Sequence, residues 1–442
     1  MTIKFIVFAL AFLSFVPIGL GLALISKKFE RFLFYLLVFG TAVNLPFLNI
    51  NFYSMALYRG TTRGFEFTFI DLITAILFFF ILLSPRLRGR IRWVPFNFPI
   101  FLILVVIFTI SILTNTPQIY GLFELHKWLR GMVLYFVCIN YIRDKDDILL
   151  VLYALLSTAF YESFLSLFQR YIEKSYRIHG SFGHYNILGA YSSICFATLF
   201  SVAFDYGGKL KRRWLYWVAI VGAAGCVVLS ISRGAMVSIV ISSFFIIGFS
   251  LLKSISARKI KTMGYMVLVM FVALLFSIDT ITDRFSNAPE ASEDSRVDYN
   301  AVAIAMVKDK PLTGVGLNNF SDATLNTYFP RTGLNEFGTP AHNIYMLTMG
   351  ETGIFGIIFL IILLWRFIFL GLKTAIKRRQ SLYDSLALGI TSAIFAFALQ
   401  SNLEYIYRIT SIFFLHTILV ATLVSACNLS KEQQSRGGMR RG

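Results

Sequence analysis

Apolar runs of about 18 to 22 residues recur along almost the whole chain, each long enough to cross a roughly 30 Å hydrocarbon core. A segment in hydrocarbon must satisfy its own backbone N–H and C=O groups, and a helix does so without help from its neighbours. Of the 442 residues, 57% are hydrophobic and 14% charged. That charge fraction is about half that of an ordinary soluble domain. The expected fold is all-α, a polytopic transmembrane helix bundle of about 12–13 spans. Residues 4–25 lack a small-residue cleavage site before Lys27, so they read as a retained span rather than a signal peptide.

Hydropathy predicts spans near 4–25, 32–50, 67–84, 95–113, 119–142, 148–173, 185–206, 214–231, 234–252, 262–281, 342–372, 384–402 and 407–427. An odd count puts the N-terminus outside and the tail inside. The formal charge of +18 then reads as topology. Of the 41 Lys and Arg residues, 25 fall in loops that this count assigns to the inner side, among them 86–92, 209–213, 253–261 and 373–379. That is the positive-inside pattern, and it argues against a nucleic-acid partner. The chain divides into 1–281 (ten spans), a long outer loop at 282–341, C-terminal spans at 342–427 and a basic inner tail at 428–442. Within the loop, "RVDYNAVAIAMVKDKP" has helix-spaced apolar residues at Val297, Ala301, Ile304 and Ala305. It predicts an amphipathic helix lying on the membrane surface. "PLTGVGLNNF" follows as a Gly-rich turn. The cysteines (Cys138, Cys195, Cys226, Cys427) are far apart and suit neither a metal site nor a disulfide framework.

Ionisable residues with chemical potential collect on the outer side. His342 stands at the outer end of a span, two residues after Pro340. Proline favours a helix start, which would put the ring beside free N–H groups and the positive end of the dipole. That field disfavours imidazolium, so the ring is expected to be available as a proton acceptor. "LSISRGAMVS" places Arg233 between two spans, where a guanidinium needs water or an anion. "DSRVDYN" adds Arg296, and "RIHGSFGHYNILGAY" adds Arg177, His179 and His184. Each residue alone has a bland reading as a solvated or interfacial group. Together they suit a phosphorylated, membrane-bound substrate.

The same stretches carry a resemblance. "SISRGA", "R…PLTGVGLNNF" and "AHNIYMLTMGETGIFG" resemble the S-R-G turn, the P-L-x-G-V-G loop end and the H-N-x-Y…E-T-G-x-x-G span of the bacterial O-antigen ligase and O-antigen polymerase superfamily. "FGHYNILGAY" is similar to an F-G-H-x-N-x-x-G element of its polysaccharide polymerase members. The resemblance covers residues 177–372 and implies a GT-C-type glycosyltransferase of the bacterial inner membrane, with its active site and long loop on the periplasmic side. It implies an undecaprenyl-diphosphate-linked glycan as donor, a glycan or lipid-linked acceptor, and a chain-length regulator as a partner. It implies no cofactor and no metal. By the motif positions Arg233, Arg296 and His342 are catalytic, and Asn343, His184, Asn186 and Arg177 contact substrate. Single displacement would invert the anomeric centre. Polymerisation of repeat units is the leading reading. Ligation to lipid A-core and protein O-glycosylation are the alternatives, and a transporter or flippase is the rival of a different class.

Charges inside the spans remain open at this point. Lys127 and Arg130 lie in "ELHKWLRGM", and Glu351 lies nine residues, about 13 Å, below His342 on one helix. They form buried ion pairs, or Lys127 and Arg130 line a groove for the carrier's diphosphate.

Overall fold

The computed structural model describes residues 2–43, 49–55, 57–266, 291–377 and 381–439. The chain opens with α1 (Thr2–Ile25) and α2 (Lys27–Phe39), joined at Ser26, whose hydroxyl accepts from the Phe29 amide. A short antiparallel ribbon of β1 (Ile50–Phe52) and β2 (Phe65–Phe67) follows, and α3 (Phe69–Leu83) leads off from it. Then come α4 (Phe98–Leu113), α5 (Gln118–Tyr141), α6 (Lys145–Tyr171) and α7 (Tyr185–Ser201). They are followed by α8 (Arg213–Ser230), α9 (Arg233–Lys253) and α10 (Ala291–Asp309). The last three are α11 (Ile344–Ala375), α12 (Leu382–Gln400) and α13 (Thr410–Met439).

Among the described residues, eight helices are long and apolar enough to span a membrane, and α3 and α4 are shorter apolar helices. The chain is an all-α polytopic membrane protein. Two expected spans differ in the structure. The 32–50 segment is helical only to Phe39, in the 13-residue α2. Helix α5 has the expected length, but Glu124, Lys127 and Arg130 hold it outside the eight. Most of the expected 262–281 span, from residue 267, lies outside the described residues, as do residues 282–290 of the long loop.

Helices α7, α12 and α13 form the centre, with 94%, 78% and 89% of their spans buried. Helix α9, only 28% buried, stands at the periphery with α8. The basic loops converge at one end. There Arg86 pairs with Glu30 at 3.3 Å, and Asp205 receives Lys253 at 3.0 Å and Lys259 at 3.1 Å.

The opposite end is covered by the chain around α10. Its helix is present as expected, but its inward face is Val302, Ala303 and Met306, which pack toward α11. Val297 and Ile304, expected to mark the apolar stripe, are exposed. The Gly-rich turn beyond α10 docks on a break in α11. Gly353 there has φ 70° and ψ −170°, and the helix resumes past it. Val315 and Gly316 donate their amides to the carbonyls of Gly350 and Glu351, and Ile354 donates to Pro311. Backbone groups released by the break are thereby paired, as a membrane-embedded helix requires. A Cβ on Gly353 would stand 2.4 Å from the Leu312 carbonyl group, so glycine is required by both conformation and space.

Candidate active site

His342 lies at the covered end, immediately before helix α11. The helix begins later than the proline suggested. Asn343 is the N-cap, and its side-chain oxygen accepts from the Tyr345 and Met346 amides. This follows the usual preference for Asn at that position. The side-chain oxygen of Asn343 is thus engaged at the helix start.

The imidazole Nδ1 of His342 sits 3.0 Å from Glu404 Oε2. Glu404 comes from the short connection between α12 and α13. A carboxylate only accepts, so with Glu404 ionised Nδ1 carries a proton, and in the neutral ring Nε2 then keeps its lone pair. The other carboxylate oxygen of Glu404 accepts from Asn186 Nδ2 at 2.8 Å and lies 3.5 Å from Arg296 Nη2. Tyr299 lies nearly parallel to the imidazole at 5.9 Å between centroids, and Tyr405 meets it edge-on at 5.1 Å. Four distant segments thus meet at one carboxylate: the start of α7, α10, the start of α11 and the α12–α13 connection.

The element "FGHYNILGAY" builds the adjoining wall. Gly183 takes φ 69°, His184 caps α7 by accepting the Asn186 amide at its Nδ1, and Asn186 reaches Glu404. Burial pushes the His184 pKa down; Glu404 opposes that shift, while Arg177 and His342 add to it. Gly189, one turn further on, lies against the S-R-G turn, where a Cβ would stand 3.0 Å from Ser232 Cβ. Arg233 is the next residue and begins α9, half-buried. Arg177 spans the same corner. Its guanidinium carbon lies 3.2 Å from the Tyr185 ring centroid, and its nitrogens donate to the Ser230 and Ile231 carbonyls at the end of α8.

Lys127 and Arg130 are placed elsewhere, in buried ion pairs rather than in a diphosphate groove, the first of the two readings open in the sequence. Lys127 is 1% exposed and donates to Glu124 at 2.7 Å, to the Arg408 carbonyl at 2.5 Å and to Thr62 at 3.1 Å. Arg130 makes a two-pronged pair with Asp71 at 2.8 and 2.6 Å. Glu351 pairs with neither. Arg408 binds it at 2.7 Å and reaches Glu124 at 3.1 Å. Two acids and two bases balance in an interior where an isolated charge would be costly. Arg408 ends the turn that carries Glu404 and Tyr405, so this network anchors the strip of chain that holds His342. Tyr405 stays protonated because burial raises its pKa and Glu404 adds to the shift.

Sequence reasoning missed Glu404, Tyr299 and Tyr405. The available signal was the acid in "NLEYIYR", a carboxylate in the very short connection between two apolar runs.

Fold and site together describe a polytopic helical membrane protein with a carboxylate-held histidine and arginines at one end. Residues 218–361, which include Arg233, Arg296 and His342, match the family described as O-antigen ligase. The match covers about a third of the chain and supports a likeness to the O-antigen ligase and polymerase superfamily. No curated protein matches the chain.

Proposed function

We propose that the protein transfers a glycan en bloc from an undecaprenyl diphosphate carrier to an acceptor sugar hydroxyl at the periplasmic face of the inner membrane. The observation that carries this reading is the His342–Glu404 pair beside Arg296 and Asn186. His342 Nε2 takes the acceptor hydroxyl's proton as its oxygen attacks the anomeric carbon. Glu404 stabilises the imidazolium that forms. The anomeric C–O bond breaks with its electron pair passing to the diphosphate oxygen, and Arg233 and Arg296 offset that charge. Attack opposite the leaving group inverts the anomeric centre. The guanidiniums supply the cationic field that a divalent metal would otherwise supply, so activity is expected to survive a chelator.

Polymerisation is the favoured direction. Asn186 belongs to the polymerase-like element and donates to the carboxylate beside His342, which supports this direction. The acceptor is then the terminal sugar of another carrier-linked unit. Purified protein in liposomes is given one labelled carrier-linked repeat unit as the only glycan. A ladder of longer carrier-linked products is expected. Transfer only after lipid A-core is added would make the protein a ligase. Movement of the unit across the bilayer with no new glycosidic bond would overturn the enzymatic reading.

A further inference from the structure

At the opposite end from His342, a cavity of about 740 Å³ opens between α7, α8, α9 and helical residues 257–266. Its wall is apolar: Phe196, Phe200, Trp217, Val221, Ala224 and Ile239 line it. Its mouth holds Arg213, Arg258 and Lys261. From Arg213 to Ala224 the wall climbs eleven residues of α8, about 16 Å at helical rise. That is close to half of a roughly 30 Å hydrocarbon core, the depth of one leaflet's acyl chains.

The charge at the mouth is one-sided. Asp205, the nearby carboxylate, is already shared by Lys253 and Lys259 and hydrogen-bonded by Ser250 and Ser385. Arg258 donates to the carbonyls of Ala203 and Asp205, leaving the carboxylate to the lysines. Among the described residues, no acid faces Arg213 or Lys261. We infer that this cavity binds an anionic phospholipid of the inner leaflet, its phosphate held by Arg213, Arg258 and Lys261 and an acyl chain along Trp217 and Ala224. A solvated loop needs cations but no apolar slot behind them, and a bare lipid-facing crevice needs no cations. The combination fits a molecule with an anionic head and an apolar tail.

Trp217 provides a reporter inside the cavity. The whole protein is reconstituted in phosphatidylcholine carrying increasing fractions of brominated-chain phosphatidylglycerol, and in parallel of brominated-chain phosphatidylcholine. Fluorescence quenching is expected at lower fractions of the anionic lipid, and Trp217→Phe should remove that component. Arg213→Gln and Lys261→Gln, both at exposed positions, should each raise the anionic fraction required about fivefold. Ala224→Phe, which fills the slot, should abolish selective quenching in protein that remains monodisperse. Equal quenching by the two lipids would overturn the inference. So would an unchanged response in the Arg213→Gln/Lys261→Gln protein. Glycan transfer at the other end is a separate readout, so neither reading depends on the other.

Discussion

Glu404 turns a lone histidine into an oriented pair, and its role is separable from that of the ring it holds. Glu404→Gln keeps an oxygen able to accept from Nδ1–H but removes the charge that stabilises imidazolium. Transfer should fall by about 10²- to 10⁴-fold, the usual span of a general-base contribution. Near wild-type transfer by Glu404→Gln would reduce Glu404 to a packing residue. His342→Gln should be nearly as inactive as His342→Ala, since an amide does not take up the proton; an active Gln variant with a flat profile from pH 5 to 8 would remove the base assignment. Arg296→Lys should rescue poorly, because a point charge lacks the guanidinium fork. The histidine and arginines were visible in the sequence as ionisable groups at span ends. Glu404 was not, because nothing in linear spacing brings residue 404 to residues 186, 296 and 342.

Helix α11 shows how elements were legible while their joints were not. Its apolar run marked a span, and "PLTGVG" marked a turn, but no hydropathy pattern says that the turn enters a break in the helix. The break leaves Gly353 at φ 70° with the Leu312 carbonyl group against it. Gly353→Ala should therefore cost about 1–3 kcal/mol in backbone strain, with the forced displacement of residues 311–316 in addition. Thermal unfolding in detergent should show a clear fall in Tm, and Gly248→Ala on α9, where a Cβ meets nothing within 4 Å, serves as the neutral control. Equal melting of the two variants would mean that the turn does not brace the helix. The charged residues in spans follow the same logic. Sequence identified Lys127, Arg130 and Glu351 as needing partners, and burial explains why they have them. Glu124 lies one helical turn from Lys127 and is legible in the spacing, whereas the partners Asp71 and Arg408 came from folding alone. The spacing also marks a helix at α10, yet not the face it buries, because Val302, Ala303 and Met306 turn toward α11 while Val297 and Ile304 stay exposed.

For the whole molecule, every role assigned to His342 depends on which side of the membrane its end faces. The alternation of basic loops predicts the outer side, and the structure gathers those loops at the end away from His342. Cysteine accessibility tests this with little background, since Cys138, Cys195, Cys226 and Cys427 are all buried and should resist a bulky polar maleimide. Glu336 is exposed on the chain leading to His342, and Lys211 is exposed between α7 and α8 at the basic end. Glu336→Cys should be labelled in intact cells whose outer barrier has been opened. Lys211→Cys should react only once the inner membrane is permeabilised. The wild-type chain should remain dark in both conditions, so each signal belongs to the introduced thiol. Labelling of Lys211→Cys from outside, with Glu336→Cys protected, would place His342, Glu404 and the arginines in the cytosol. A donor presented at the periplasmic face would then lie a full membrane away from the base, and the proposed reaction would have to be abandoned even if every residue-level variant were inactive.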